Sequence, residues 1–344
     1  MDANFMDAIV LYGKGEARLD KFPVPEMKPD CVKVAVSYCG FCGSDFHKYE
    51  GKKNTHPIHY PIPLGHEISG HVVEIGSEVK GFKVGDRVTV DPNWSCGHCD
   101  FCQKGMPHFC RSARGVVKGM SQYWVSPQEN VYHLPEKLTD MRLAALAEPV
   151  SCCVHGLDML GIRPGEKTAI VGYGAIGCIM LQMMLRAGAG EVIVIESNTD
   201  KREHALRMGA SRFVDAKDAE AVKALAEEVN IDRVMECVGV PAAQQTALEV
   251  AGKGATVVFF GVSSEDAVLP FSGYMAFSKE LTIKSSFVNP YTMTRALDIL
   301  ASGAIDADEV ISKVLTMEEA EEELKTRTYS RQGKVLVKVN KFLD

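Results

Sequence analysis

The chain has 344 residues, of which 46% are hydrophobic and 24% charged, and its formal net charge is -7. This composition is typical of a soluble globular protein, and the length favours two domains over a single core. The acidic balance argues against a nucleic-acid partner, because phosphate backbones bind basic surfaces. No apolar run reaches the roughly 20 residues of a membrane span, and residues 1–6 lack a signal pattern, so we expect a cytoplasmic protein without a membrane partner.

The first part of the chain predicts a β-rich domain. Residues 7–38 and 68–92 read as short strands punctuated by glycines, and the alternation of apolar and polar side chains is clearest in residues 32–37. We therefore expect an all-β first domain that extends roughly to residue 150. The chain holds eleven cysteines, which in a reducing compartment suggest metal ligands before disulfides.

Between residues 39 and 71, two short clusters combine a thiol, an imidazole and a carboxylate. They are Cys42-Gly43-Ser44-Asp45-Phe46-His47 and Gly65-His66-Glu67-Ile68-Ser69-Gly70. This ligand set suits zinc and can leave one coordination position open for a substrate. Cys39 competes with Cys42 for the thiolate role, because the spacing of the two cysteines mimics a redox pair.

Four further cysteines lie close together, at Cys96, Cys99, Cys102 and Cys110. Four thiolates at this spacing can complete a tetrahedron around zinc and leave no position for a substrate. Four free cysteines in a loop are the alternative. We predict a structural zinc lobe over residues 93–112, in which the metal contributes on the order of 10 kcal/mol to folding of the loop.

The string from Gly65 to Val79 resembles the zinc signature of the zinc-dependent medium-chain alcohol and polyol dehydrogenases. The resemblance implies that Cys42 is the thiolate ligand, because Ser44 and His47 follow it at the family's spacing, and that His66 is the imidazole ligand. It makes Cys39 a packed residue near the site.

The remaining ligand position stays open between two glutamates. In the polyol branch of the family, residues at the positions of Glu67 and Glu148 lie at the zinc, one or the other bound as water and substrate exchange. A structural salt bridge is the alternative role for each. The implied catalytic residues are Glu67, Ser44 and His47, with zinc stabilising the alkoxide, NAD accepting the hydride, and Ser44 passing the proton towards His47.

From about residue 168 the pattern changes to strands that alternate with helices, which predicts a doubly wound parallel sheet of six strands. The predicted strands are 168–172, 191–196, 212–215, 232–237, 255–261 and 281–287, with helices such as 176–187 and 216–229 between them. A helix at 294–302, an acidic helix at 317–325 and a strand at 334–339 follow. The resemblance implies a discontinuous chaperonin-10-like catalytic domain (residues 1–153 and 291–344) and a Rossmann domain (residues 154–290).

A glycine-rich turn directly follows the first of these strands and opens a helix. It contains Gly172, Gly174, Ala175, Ile176 and Gly177. Such a turn lets the backbone approach a pyrophosphate, and the N-terminus of the helix attracts the anion. A glycine turn without a ligand is the alternative. In this context we predict a dinucleotide site.

Glu196 ends the next strand, where an acid accepts hydrogen bonds from the adenosine ribose and repels a 2′-phosphate. We therefore predict NAD rather than NADP, a preference that the nearby Lys201 can soften. The family resemblance adds Val238, Gly239 and Phe287 to the predicted cofactor contacts.

The predicted reaction is reversible oxidation of a secondary alcohol of a polyol to the ketose. Two departures from the sorbitol enzymes keep a phosphorylated polyol, or a small secondary alcohol of the butanediol or threonine type, open as alternatives. Ser286-Phe287 stands where those enzymes carry Arg-Tyr, and Lys48 replaces the tyrosine after the relay histidine. Lys48 is thus the predicted substrate residue, with a solvated surface lysine as the alternative.

A non-catalytic, zinc-stabilised nucleotide-binding protein is the rival from another class. Such relatives usually lose catalytic zinc ligands, whereas Cys42, His66 and Glu67 are all present here. Two zinc ions per chain would indicate the enzyme. We expect a homo-oligomer, either a dimer or a tetramer.

Overall fold

The computed structural model describes residues 4–52 and 58–341. The first residues of the segment read for a signal pattern lie outside these ranges. The chain forms two compact units: unit 1 comprises Met1–Ser151 with Asn289–Asp344, and unit 2 comprises Cys152–Val288. Within the described ranges, no helix is long and apolar enough to cross a membrane.

Strands dominate the first part of unit 1. They are β1 (Phe5–Gly13), β2 (Glu16–Pro23), β3 (Cys31–Gly40), β4 (Ile62–Pro63), β5 (Glu67–Ile75), β6 (Arg87–Val90), β7 (Asn93–Trp94), β8 (Arg114–Gly115), β9 (Tyr123–Pro127) and β10 (Val131–His133). The helices are α1 (Gly43–Tyr49), α2 (Asp100–Gln103) and α3 (Met141–Ala144), with 3₁₀ turns at Pro107–Phe109 and Gln128–Asn130. Helix α4 (Ala147–Leu160) begins in unit 1, and its residues from Cys152 onward belong to unit 2.

Strands and helices alternate through unit 2. The strands are β11 (Lys167–Val171), β12 (Glu191–Glu196), β13 (Arg212–Asp215), β14 (Ile231–Glu236), β15 (Ala251–Phe259) and β16 (Thr282–Ser285). The helices are α5 (Ala175–Arg186), α6 (Arg202–Arg207), α7 (Ala219–Glu228), α8 (Pro241–Val250) and α9 (Gly273–Lys279), with a 3₁₀ turn at Thr199–Lys201.

The chain then completes unit 1. It adds α10 (Met293–Ala301), α11 (Ala307–Val310), β17 (Ile311–Leu315), α12 (Met317–Thr326) and β18 (Lys334–Lys338).

Strand β3 lies inside the largest sheet of unit 1, whose order is β10-β6-β5-β3-β18-β17, with β9 also paired to β3. Both β5 and β18 run antiparallel to β3, and the register sets Gly40 opposite Glu67 on one side and Leu336 on the other. Apolar side chains of these strands, such as Val34 and Ile68, join one buried hydrophobic cluster. The last strand of the chain therefore lies in the same sheet as the strand that carries Glu67.

The sheet of unit 2 has six strands in the order β13-β12-β11-β14-β15-β16, and every pairing is parallel. Strand β12 is a near-continuous apolar run, and β11 ends in one, as expected where helices cover both faces of a sheet. The strand order reverses between β11 and β14, and ligands of doubly wound sheets bind at such a switch point. This confirms the predicted doubly wound sheet with a separate β-rich domain.

The expectation of an all-β first domain is wrong. Helix α1 occupies Gly43–Tyr49, immediately after β3. Oδ2 of Asp45 accepts a hydrogen bond from the backbone N–H of Cys42 (3.1 Å) and so satisfies a donor at the start of the helix. The segment is too short to show a helical apolar period, and only this local capping marks it.

Candidate functional site

Three side chains of unit 1, two of them adjacent in sequence, bring potential metal-ligand atoms together. The ligand atoms of Cys42, His66 and Glu67 all lie within 4.8 Å of one another. Cys42 directly precedes α1, and Glu67 is the first residue of β5. The group offers one thiolate, one imidazole and one carboxylate, and a fourth position remains for an exchangeable ligand.

A buried carboxylate stands behind His66. Asp45 is fully buried and accepts backbone N–H groups of Cys42 (3.1 Å) and Gly65 (3.2 Å). Its Oδ1 lies 3.7 Å from Nδ1 of His66, which is beyond hydrogen-bonding distance, so the attraction is electrostatic. Burial opposes the charge of Asp45, yet the neighbouring imidazole holds the pKa of that carboxyl below its usual range. Asp45 therefore favours one orientation of the His66 ring.

Glu67 has a second partner, which the sequence analysis missed. Both carboxylate oxygens accept hydrogen bonds from Nζ of Lys334 at 2.8 Å, and the same ammonium donates to the carbonyl of Phe41 at 3.0 Å. The side chains of Glu67 and Lys334 are only 1% and 5% exposed. Burial disfavours the ammonium, but the charge of Glu67 raises the pKa of Lys334 above the ordinary lysine range. The salt bridge considered as an alternative for Glu67 thus coexists with its place in the ligand group.

Gly40 makes room for this carboxylate. A Cβ atom at Gly40 would lie 2.0 Å from Oε2 of Glu67, so the carboxylate would have to leave its place at Lys334. The absence of a side chain at the end of β3 therefore leaves the space that the Glu67 carboxylate occupies.

Glu148 lies at the start of α4 and is buried, but its carboxylate is outside the group of atoms within 4.8 Å. Burial raises the pKa of Glu148 to about 7; the charge of His66 lowers it and that of Glu67 raises it. A carboxyl group with this pKa changes charge near neutral pH. That Glu148 binds the zinc stays a prediction.

Ser44 and His47 both lie on α1, and both are half-buried. Burial lowers the pKa of His47, and the charge of Lys52 lowers it further. An imidazole with a lowered pKa releases a proton to water readily at neutral pH.

Cys39 lies beside Glu67 but is not one of the three mutually close ligand residues. It is fully buried on β3, and burial raises the pKa of its thiol well above the ordinary value. Its Sγ lies 2.5 Å from the position that a Cβ of Gly65 would take, so it packs against the loop before His66. The structure therefore brings Cys42, and not Cys39, to His66 and Glu67.

All four cysteines of the predicted zinc lobe lie close together in the structure. The Sγ atoms of Cys96, Cys99, Cys102 and Cys110 lie within 4.8 Å of one another. Backbone N–H groups point at the sulfurs; those of Cys96 and Ser112, for example, donate to Sγ of Cys110 at 3.3 and 3.4 Å. The backbone N–H of Cys102 lowers the pKa of the Cys99 thiol to about 6. The pKa of Cys110 is also lowered, by the backbone N–H of Cys96, whereas burial raises that of Cys102 to about 11. Four cysteine ligands complete a tetrahedral zinc shell and leave no open position.

In unit 2, the glycine-rich turn joins β11 to the twelve-residue helix α5. Gly172 adopts a φ of +96°, and a Cβ there would lie 2.3 Å from Cγ2 of Val238. A Cβ at Gly177 would lie 2.1 Å from the carbonyl oxygen of Gly172. Gly174 is the N-cap of the helix, and Ala175 and Ile176 are its first two residues. The turn therefore requires glycine at positions 172 and 177, whereas position 174 has room for a Cβ. The N-terminus of α5 that follows offers free backbone N–H groups to an anion.

Glu196 and Lys201 both hold the residue inside this turn. Oε2 of Glu196 accepts the backbone N–H of Tyr173 at 2.6 Å, and Nζ of Lys201 donates to the carbonyl of Tyr173 at 2.9 Å. Oε1 of Glu196 accepts the N–H of Asn198 at 2.8 Å. Lys201, predicted to soften the cofactor preference, is thus tied to the turn.

A second missed residue, Glu236, fixes the turn after β14. Its Oε1 accepts the N–H groups of Val238 (2.6 Å) and Gly239 (2.7 Å). Gly239 has a φ of +80°, and a Cβ there would lie 2.6 Å from the backbone of Val262. The only signal in the sequence was an acid at the end of an apolar strand. Phe287 lies just beyond β16, with 38% of its side chain exposed.

Two family models match the chain. "Alcohol dehydrogenase GroES-like domain" matches residues 28–136, and "Zinc-binding dehydrogenase" matches residues 175–302. Sorbitol dehydrogenase from Bacillus subtilis (strain 168) is 30% identical over 326 residues, which cover 92% of each chain. D-arabinitol dehydrogenase 1 from Uromyces fabae is 34% identical, covering 93% of each. D-arabitol-phosphate dehydrogenase from Enterococcus avium is 31% identical, covering 92% of each.

Solved structures share the fold over nearly the whole chain. An NADP-bound structure from Sinorhizobium meliloti 1021, described as a zinc-binding dehydrogenase, is 35% identical with a TM-score of 0.90 and covers 97% of this chain and 99% of its own. An NADH complex of an alcohol dehydrogenase from Escherichia coli CFT073 is 26% identical with a TM-score of 0.87, covering 98% of this chain and 100% of its own.

Proposed function

The chain belongs to the zinc-dependent medium-chain alcohol and polyol dehydrogenases, and on this premise we propose that it oxidises a secondary alcohol of a polyol to the ketose with NAD. The group formed by Cys42, His66 and Glu67 carries the proposal, because three ligands with one open position are what a catalytic zinc requires. Relatives named for sorbitol and arabinitol support a polyol as the substrate class.

The residues present fit a catalytic zinc. The thiol, imidazole and carboxylate are a donor set that zinc prefers, and Nδ1 of His66 is buried without a hydrogen-bond partner in the described residues. A bound Zn²⁺ supplies Lewis acidity, which lowers the pKa of an alcohol that it coordinates. Cys42 and His66 would hold it, with Glu67 or Glu148 as the exchanging ligand.

The chain's own side chains orient the ligands and move the proton. Asp45 steers His66 through its charge, and Lys334 compensates the buried charge of Glu67. Ser44 takes the proton of the substrate hydroxyl and passes it towards His47. Because burial lowers the pKa of His47, the imidazole returns this proton to water at neutral pH.

The dinucleotide binds in unit 2. The N-terminus of α5 would hold the pyrophosphate, and Glu196 would accept hydrogen bonds from the adenosine ribose. The carboxylate of Glu196 repels a 2′-phosphate, which favours NAD. The NADP of the Sinorhizobium structure makes this preference a point for direct measurement.

A second zinc has a structural role. Four thiolates close its coordination shell, so it stabilises the lobe from Cys96 to Cys110 and takes no part in the chemistry. The enzyme thus carries two zinc ions per chain, one in each group.

The enzyme is a homo-oligomer that associates through unit 2. Strand β16 is the last strand of its sheet, and an edge strand offers unpaired backbone groups to a second copy. The helix before it exposes 80% of Tyr274 and 83% of Phe277, an apolar surface that a partner would cover. Phe277→Asp should convert the oligomer to monomers in light scattering, and an unchanged mass would contradict this interface.

The function is tested by a screen of polyols and other secondary alcohols with NAD, read as NADH absorbance. We expect zinc-dependent oxidation of at least one polyol, with loss of turnover after chelation and recovery with added zinc. Oxidation of simple secondary alcohols alone, without any polyol, would contradict the proposed substrate class.

A further inference from the structure

Lys118 lies on the segment of unit 1 that packs against the loop before His66. The two residues after it pair with the loop before His66: the N–H of Gly119 donates to the carbonyl of Gly65 (2.9 Å), and that of Met120 to the carbonyl of Leu64 (2.8 Å). This pairing places Lys118 next to the catalytic group in unit 1. In the part of the chain that the structure describes, its ammonium has no hydrogen bond and no ion pair.

The surroundings of Lys118 do not favour its charge. Burial lowers the pKa of Lys118 to about 8, and the charge of Lys48 lowers it further, while Asp45 raises it. Lys48 and Asp45 are therefore close enough to act on it. Lys118 is half-buried, and its ammonium makes no direct contact with a carboxylate of the described residues. A partly desolvated ammonium of this kind gains from an anionic ligand, which would supply the opposite charge.

Lys48 approaches the same place from α1. Its Nζ lies 3.7 Å from Oδ1 of Asp45, the oxygen that also faces Nδ1 of His66 at 3.7 Å. The Asp45 carboxylate already accepts the N–H groups of Cys42 and Gly65. Asp45 thus already compensates Lys48 and the His66 imidazole, and its charge acts on Lys118 only from beyond ion-pair distance.

The carboxylate of the ligand group gives no compensation. Both carboxylate oxygens of Glu67 already accept hydrogen bonds from the ammonium of Lys334. Lys48 and Lys118 therefore leave an excess of positive charge directly beside the ligand group.

We propose that Lys48 and Lys118 form an anion subsite that holds the phosphate of a phosphorylated polyol while the alcohol is oxidised at the Cys42–His66–Glu67 group. The inference rests on the proposed function and specifies its substrate class. A phosphate monoester carries close to two negative charges at neutral pH, which matches two ammonium groups better than a single carboxylate does. The phosphate stays attached throughout.

The test uses the zinc-loaded enzyme and its variants Lys48→Met and Lys118→Met. Lys48→Arg and Lys118→Arg keep the charge, and Lys137→Met removes an exposed lysine elsewhere in unit 1 as a matched control. Steady-state kinetics with NAD compare sorbitol, its terminal phosphate ester and the aldonate gluconate. Calorimetry measures binding of inorganic phosphate, a readout that needs no turnover.

We expect the wild-type enzyme to prefer the phosphate ester. Each methionine variant should raise the KM of the ester roughly 10–100-fold, the loss of one charge-assisted contact, with an effect on sorbitol at least about tenfold smaller. Binding of inorganic phosphate should weaken in parallel, and the arginine variants should recover most of both losses. Lys137→Met should match the wild type.

Two outcomes overturn the inference and leave the proposed function intact. The first is equal oxidation of sorbitol and its ester, with phosphate binding that the methionine variants do not change. The second is an effect of these lysines on gluconate rather than on the ester, which would assign the subsite to a carboxylate. Lysine-dependent phosphate binding without oxidation of any substrate would instead support the subsite and overturn the proposed function.

Discussion

The two groups of metal-binding side chains in unit 1 are built in opposite ways. The four-cysteine group comes from one short stretch, Cys96 to Cys110, and its sulfurs complete their own shell. The group of Cys42, His66 and Glu67 is gathered by a β-sheet and depends on buried charges such as Lys334 from the last strand. The closed group holds its loop together, whereas the open group is held by the fold. Substitutions should therefore cost stability at the first and activity at the second.

The largest effect is expected from Cys42→Ala. Loss of a zinc ligand at the open group should lower kcat/KM at least about 1000-fold, because the metal's Lewis acidity is lost. The core does not depend on this metal, so circular dichroism and NAD binding should remain those of the wild type. Near-normal turnover, or an inactive Cys39→Ala in its place, would show that the ligand is assigned wrongly.

Lys334→Met tests whether the open group depends on the rest of the sheet. It leaves the carboxylate of Glu67 buried without its partner, which should lower the free energy of unfolding by about 3 kcal/mol. Activity should fall roughly 10–100-fold, as when a residue supporting a metal ligand is removed. Lys334→Arg, which keeps the charge, should lose less of both. Unchanged unfolding and turnover in Lys334→Met would refute this dependence.

Lys118 sharpens the comparison, because its charge beside the open group should lower the free energy of unfolding. Its pKa is about 8 in the fold against an ordinary 10.5, so folding disfavours the charged form. This cost is fully present below pH 8 and disappears as pH rises towards 10.5. Lys118→Met should therefore raise the free energy of unfolding by roughly 1–3 kcal/mol at pH 7. Urea titrations at several pH values measure this, and a gain that grows above pH 8 would contradict it.

The smallest effect concerns the cofactor and should be independent of both metal groups. NAD should exceed NADP by at least roughly tenfold in kcat/KM, about 1.4 kcal/mol, because Glu196 repels the 2′-phosphate. Glu196→Gln should narrow this ratio without changing zinc content. Comparable efficiencies of the wild type with the two cofactors would remove Glu196 from this role.

The same contrast explains what could be predicted from the sequence. Cysteine spacing alone predicts the closed group, and the apolar strands with the glycine turn predict the sheet of unit 2. In the open group, Cys42 was separated from Cys39 only through the family resemblance. The partnership of Glu67 with Lys334 joins residues 267 positions apart and depends on the register of β18 against β3, which no local pattern reveals.

Zinc content per chain, measured by mass spectrometry of metals together with thermal unfolding, tests the central claim most directly. We predict two zinc ions in the wild type, one in Cys42→Ala with an unchanged melting temperature, and one in Cys99→Ala with a markedly lower melting temperature. A wild type with one zinc or none, or a Cys99→Ala variant that melts like the wild type, would contradict the division into a closed structural group and an open catalytic one.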